Sequence, residues 1–241
     1  MRLLLWLSLP LLIAAADVDT TREPPECVVL LHGLARTASS MVPIERALTA
    51  AGYRVANVEY PSRTAPIEVL APLAVDQGLD SCRQDAAPTV HFVTHSLGGI
   101  LVRQYLRHRT IDNLGRVVML APPNQGSEVV DNWRSVPGFG ALNGPAGLQL
   151  GTDAGSVPRS LGPVTYPVGI IAGNRTLNPL LSLSLPNPDD GKVSVERTKV
   201  DGMLDFLIVP HTHTFIMRST AVIHQIKHFL VHGSFEQQPD P

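Results

Sequence analysis

The stretch Pro88-Thr-Val-His-Phe-Val-Thr-His-Ser96-Leu-Gly-Gly99 decides how this chain is read. Val90, Phe92 and Val93 favour an extended strand, and residues 100–106 resume with helical spacing, so a strand turns into a helix with a lone serine at the break. Gly98 and Gly99 remove side-chain bulk where the helix folds back on the strand. A turn this tight strains the serine backbone and lifts its Oγ above the sheet edge, while the helix N-terminus offers free N–H groups to a developing oxyanion. A capping serine in an ordinary turn would leave the same local string, so the partners of Ser96 have to be found elsewhere in the chain.

Outward from this segment, apolar strands and helices alternate. Strands are expected at residues 28–31, 53–58, 89–94, 117–121, 168–172 and 206–209, with helices at 39–51, 66–79, 97–108 and 215–231. Continuous apolar strands separated by helices imply an α/β fold whose mostly parallel central sheet is covered by helices on both faces. Between residues 122 and 167 the pattern fails: this stretch is rich in Gly, Pro, Asn and Ser, with one short helical piece at 127–133. A long irregular excursion in a compact domain is functional or mobile, and this one falls where a cap over an active site would be inserted, the alternative being a solvated loop. Residues 178–191 form a second loop, with Pro179, Pro186 and Pro188.

The N-terminus reads as a cleavable secretory signal over residues 1–16: Arg2, an apolar run over 3–13, then Ala14-Ala-Ala16 before Asp17. The run is short for a membrane span, although an uncleaved anchor is the competing reading. The remainder, residues 17–241, is long enough for one domain with a large core, periplasmic or secreted. No cysteine follows the expected cut, so a lipoprotein anchor is not indicated. With 19 Lys and Arg against 21 Asp and Glu, and no basic cluster, nothing in the chain attracts nucleic acid. The two cysteines of an exported chain suggest a disulfide between Cys27 and Cys82, each directly before an expected strand and hence at the same sheet edge. Two buried free thiols are the alternative.

Loops that follow the strand ends of such a sheet converge on one face. Strand one ends in Leu30-Leu-His-Gly-Leu34, where Gly33 permits a sharp turn that aims the Leu34 amide at the same point as the Leu97 amide. His32 in this turn is assigned a structural role. Strand six ends in Val209-Pro-His211-Thr-His213, and a histidine between strand and helix reaches over the sheet edge. His211 and His213 compete, and His213 is preferred because it adjoins the helix start. The acid expected between serine and histidine is Asp190, in Pro188-Asp-Asp-Gly191, with Asp189 the neighbour most easily confused with it. Asp205 begins the strand that the histidines end, about 20–25 Å away at ~3.3 Å per residue, and is an unsuitable partner. His224, His228 and His232 recur on one face of the last helix, but without a carboxylate or cysteine at ligand spacing they read as a polar face, and no metal is expected.

Taken together, Leu30-Leu-His-Gly-Leu34, Thr94-His-Ser-Leu-Gly98, Asp190-Gly191 and His213 resemble, in order and spacing, the α/β-hydrolase superfamily and its small exported lipases and esterases. The resemblance spans nearly the whole chain after the signal. It implies Ser96 as nucleophile, His213 as base, Asp190 as orienting acid, and Leu34 and Leu97 as oxyanion-hole amides. One position departs from the family's G-x-S-x-G: Thr94 stands where the first glycine is usual. The implied activity is hydrolysis of a carboxylic ester, a small-molecule acyl ester or lipid, through an acyl-enzyme and without cofactor. Any contact with a membrane would come through the substrate. A thioesterase or acyltransferase would use the same residues, and a non-catalytic binding protein on the hydrolase scaffold is the alternative from another class.

Overall fold

The computed structural model describes residues 24–84, 86–177 and 179–236. The expected signal at 1–16 lies outside the described residues. Six strands form one sheet: β1 (Cys27–Leu31), β2 (Arg54–Val58), β3 (Val90–His95), β4 (Leu114–Leu120), β5 (Val168–Gly173) and β6 (Asp205–Val209). Their order is β2-β1-β3-β4-β5-β6, and every neighbouring pair is parallel. All six therefore end at the same edge, so the loops after β1, β3, β5 and β6 can meet although residues 32 to 213 separate them in sequence.

Strand alternation divides the core into two layers. Val29 and Leu31 of β1 pack with Phe92 of β3 and Met119 of β4 beneath α2 (Ile67–Gln84) and α3 (Leu97–His108). Val28, Leu30, Val93 and Val118 face the opposite way, towards α1 (Val42–Ala50) and the C-terminal helix, residues Thr220–His232. Because both faces are covered, β1 and β3 are buried along their whole length, which explains why they read as unbroken apolar runs rather than as alternating ones. Each large side chain sealed in this way contributes about 1.5–3 kcal/mol.

Three features depart from the expectations. The helix α2 runs to Gln84, past the expected end near residue 79, so Cys82 sits in its last turn rather than directly before a strand. The cysteines nevertheless pair, with Cα atoms 5.7 Å apart. The helix runs back across the sheet and delivers Cys82 to the N-terminal edge, where β1 begins at Cys27. The stretch 122–167 is also more ordered than its composition suggests. It folds as α4 (Glu128–Trp133), α5 (Phe139–Leu148, broken at Gly144 by a left-handed φ of 67°) and α6 (Val157–Ser160). A further single turn, α7 (Pro179–Ser182), lies in the expected loop after β5, and α8 (Val195–Thr198) follows that loop, so the C-terminal helix is α9. No helix of the described residues is long and apolar enough to cross a membrane.

Candidate active site

Ser96 occupies the corner between β3 and α3 with φ 52° and ψ −117°, a left-handed backbone rarely adopted by a residue with a Cβ. Such a conformation costs of the order of 1–3 kcal/mol and survives only where the surroundings hold it. Here the Ser96 N–H donates to the Leu120 carbonyl (2.9 Å), and the Ser96 carbonyl accepts from Gly99 N–H (3.0 Å). Gly98 is required by contact: a Cβ there would stand 2.6 Å from the Leu31 carbonyl oxygen, so only glycine lets α3 start this close to β1. The departure at Thr94 is absorbed next door, since its Oγ1 lies 3.3 Å from where a Gly99 Cβ would be. The second glycine gives the space that the threonine takes.

From this corner a chain of hydrogen bonds runs through the convergent loops. His213 Nε2 lies 3.0 Å from Ser96 Oγ, and His213 Nδ1 lies 2.8 Å from Asp190 Oδ2. The other oxygen of Asp190 accepts the amides of Lys192 (3.0 Å) and Val193 (2.8 Å), which fixes the direction in which the buried carboxylate points. Asp190 and His213 are joined by their backbones as well, His213 N–H donating to the Asp190 carbonyl at 3.0 Å. Asp189 is turned to other partners, its carboxylate accepting from Gly191 N–H (2.7 Å) and Ser182 Oγ–H (2.6 Å). Gly191 adopts a left-handed φ of 94°, which lets the chain turn tightly straight after the two carboxylates. The His211 backbone is held beside β5, its carbonyl accepting from Arg175 N–H at 3.2 Å.

The turn after β1 works differently from the sequence expectation. Its left-handed residue is Ala35, with φ 54°, not Gly33. What Gly33 supplies is room: a Cβ would come 2.7 Å from His95 Nδ1 and 3.2 Å from the Ser96 Cβ. The Ala35 amide is taken by Ser62 Oγ (3.1 Å) and that of Arg36 by the Gly33 carbonyl (3.2 Å), while Leu34 lines the cavity beside Ser96. At the start of α3 the Leu97 amide belongs to the first turn, where helix geometry provides no internal acceptor. His32 stacks on Tyr60 with ring centroids 4.1 Å apart, and burial lowers its pKa.

The sequence reading passed over His95. It is buried at the end of β3, and its Nε2–H donates to the His213 carbonyl at 3.0 Å, pinning the backbone of that loop against the corner. Burial holds the imidazole well below its ordinary pKa, and the neighbouring His213 pushes the same way. Its Nδ1 has no hydrogen-bond partner among the described residues. Only the adjacency to Ser96 pointed to it in sequence, because its contact is with a main-chain carbonyl that sequence does not place.

Above Ser96 and His213 opens a cavity of ≈ 280 Å³. Val129, Val130, Trp133, Phe139 and Leu142, from α4 and α5, form an apolar wall, and Leu181 of α7 adds to it. Arg36 and Lys192 line the same cavity. The remaining candidates lie away from it. The carboxylate of Asp205 accepts the Phe206 and Phe235 amides at the start of β6. His224 pairs with Glu236, and His228 donates to the Ser234 carbonyl. Among the described residues no three His, Cys, Asp or Glu side chains are placed to hold a metal ion.

The model of the Alpha/beta hydrolase family matches residues 28–220. Among solved structures, the chain is similar to a mature lipase of Bacillus licheniformis, with TM-score 0.66 and 18% identity over 89% of this chain and 96% of that one. It is also similar to lipase B of Aspergillus fumigatus, with TM-score 0.62 and 14% identity over 86% of this chain and 53% of that one. A third likeness is to an extracellular alpha/beta-hydrolase from a Paenibacillus species, with TM-score 0.54 and 16% identity over 88% of this chain and all of that one. At these identities the likeness is one of fold. No curated protein matches the chain.

Proposed function

Because this chain belongs to the alpha/beta hydrolase family, we propose that it is a serine hydrolase that cleaves carboxylic esters, with Ser96, His213 and Asp190 as its catalytic triad. The observation that carries this reading is the continuous hydrogen-bonded line from Ser96 Oγ through both nitrogens of His213 to Asp190 Oδ2, beneath an apolar cavity. His213 Nε2 takes the proton as Ser96 Oγ attacks the acyl carbon, and Asp190 holds the imidazolium that forms. The amides of Leu34 and Leu97 receive the oxyanion, each worth a few kcal/mol at the transition state. His213 then gives its proton to the leaving alcohol. Water, deprotonated by the same imidazole, releases the acid from the acyl-enzyme and restores Ser96. Every proton in this cycle is handled by one imidazole, so no cofactor enters.

The residues 122–167 act in this scheme as a cap, and the apolar wall from α4 and α5 shelters the acyl chain. The disulfide fits an oxidising compartment, and with the sequence of residues 1–16 it supports export. A mature N-terminus found at Asp17 is the result expected of the secreted protein. The decisive experiment pairs hydrolysis of a short p-nitrophenyl ester with labelling by a fluorophosphonate probe. Both are expected in the native protein and absent in Ser96→Ala, with the fold retained. Full hydrolysis by Ser96→Ala removes the serine mechanism, and absence of labelling in folded native protein favours a binding protein on the hydrolase scaffold.

A further inference from the structure

The cavity over Ser96 is electrostatically one-sided. Among the described residues no aspartate or glutamate lines it, yet two cationic side chains do, Arg36 from the turn after β1 and Lys192 from the loop after β5. Among the described residues neither side chain forms an ion pair or a side-chain hydrogen bond, whereas carboxylates elsewhere pair with Arg83, Arg109, Arg134, Arg197 and Lys199. Among the described residues the one acidic group acting on Lys192 is Asp190, whose two oxygens are already occupied by the Lys192 and Val193 amides and by His213. The Lys192 residue is solvent-exposed, but its head group is crowded by protein. That desolvation lowers its pKa, and the repulsion of Arg36 adds to the effect. Both charges are also felt at His95, directly beside Ser96. Two like charges lining one cavity without an ion-pair partner among the described residues leave a favourable position for an anion there.

The backbone fixes where these charges sit. The Lys192 amide is bound by Asp190, and its carbonyl accepts Ser127 Oγ–H at 2.7 Å, while the Arg36 amide is bound within the turn that holds Leu34. Both cations are therefore carried by the same loops that present the candidate acid and one candidate oxyanion amide. The apolar wall, in contrast, comes from α4, α5 and α7. An acyl chain belongs against that wall, which leaves the cationic side to the alcohol portion of the ester.

We propose that Arg36 and Lys192 form an anion-recognition subsite beside Ser96, and that the ester cleaved carries an anionic group, phosphate or carboxylate, on its alcohol portion. This deepens the ester-hydrolase reading and rests on it. Two charge-assisted contacts at a partly desolvated site are enough to favour the anionic substrate roughly tenfold or more at low salt.

The test compares kcat/KM for three soluble esters of one acyl chain: decanoyl glycerol, decanoyl glycerol phosphate and the decanoyl ester of glyceric acid, each below its micellar concentration. The native protein is expected to prefer one or both anionic esters, and the identity of the favoured one tells phosphate from carboxylate. The preference should shrink as salt rises, a measurement that needs no variant. In the Arg36→Gln, Lys192→Gln double variant the anionic-to-neutral ratio should approach one, and in Arg36→Lys, Lys192→Arg it should largely persist. Equal turnover of the three esters by native protein overturns the subsite while the hydrolase reading stands, and so does a ratio that survives in the glutamine variant. Loss of the ratio in both double variants alike assigns it to side-chain shape and overturns the subsite too. Failure of the native protein to cleave any ester, p-nitrophenyl esters included, overturns both.

Discussion

Ser96 stores strain that its neighbours hold in place. The φ of 52° persists because Gly98 admits the Leu31 carbonyl, Gly33 admits His95, and the Leu120 carbonyl takes the Ser96 amide. Gly98→Ala would drive a methyl group into that carbonyl, and about 2–4 kcal/mol of destabilisation with loss of hydrolysis is expected, read as a fall in the denaturation midpoint. The adjacent carboxylates offer a sharper test, because their partners differ completely. Asp190→Asn replaces the oxygen facing His213 Nδ1, and a fall in kcat of about 10³–10⁴ is expected with little change in fold. Asp189→Asn keeps an oxygen for the Gly191 amide and leaves His213 untouched, so it should weaken the loop but spare most of the turnover. Equal losses of kcat in the two variants would remove Asp190 from its role. This pair also marks a limit of the sequence. Asp189 and Asp190 are indistinguishable as letters, and which one faces the imidazole depends on a turn closed by the Lys192 and Val193 amides. The ambiguity of His211 and His213 has the same origin, since strand alternation ceases once β6 ends at Val209.

At the scale of elements, strands were more legible than the segments between them. A strand buried on both faces must be apolar throughout, so β1, β3 and β5 announce themselves. The helix α5 does not: Gly140, Gly144, Gly147 and Pro145 give it poor intrinsic propensity and no polar face. It forms because its apolar residues pack over the cavity and its kink at Gly144 lies against the Arg63 carbonyl, a contact only the folded chain supplies. The link from α2 to β1 yields an element-scale prediction. The Cys27–Cys82 bridge closes 55 residues and should stabilise by about 4 kcal/mol through the unfolded chain. Replacing both cysteines with serine is expected to lower the melting temperature markedly. Turnover well below that temperature should be retained, because the bridge lies at the N-terminal ends of the strands and Ser96 at the C-terminal ends, one strand length of about 17 Å away. A double variant as stable as the native protein would mean that the unfolded chain is already constrained there.

For the whole molecule, three buried histidines set the response to acid. Burial is the leading cause that keeps His32, His91 and His95 below the ordinary imidazole value of 6.5. Below pH 6.5 the unfolded chain takes up protons that the folded chain refuses, so stability is complete above that pH and is lost as pH falls towards the lowered values. Each histidine that stays neutral in the fold contributes a slope of about 1.4 kcal/mol per pH unit. Denaturation midpoints measured from about pH 7 down to pH 5 should decline before the carboxylates titrate, and a flat profile over that range would contradict the burial argument. His91 belongs to the N-terminal edge and His95 to the site, so the same acid sensitivity spans both ends of the sheet. By itself the sequence determined the α/β alternation and the strand-to-helix corner at Ser96, since each follows from local periodicity or turn chemistry, and it suggested the pairing of the two cysteines, which the structure then settled. Only the tertiary structure decided that His213 and Asp190 face each other, that His95 braces their loop, that α5 forms a wall, and that Arg36 and Lys192 share one cavity. Those facts depend on the parallel order of six strands, which brings distant loops to one edge, and no local stretch of sequence records which loops become neighbours.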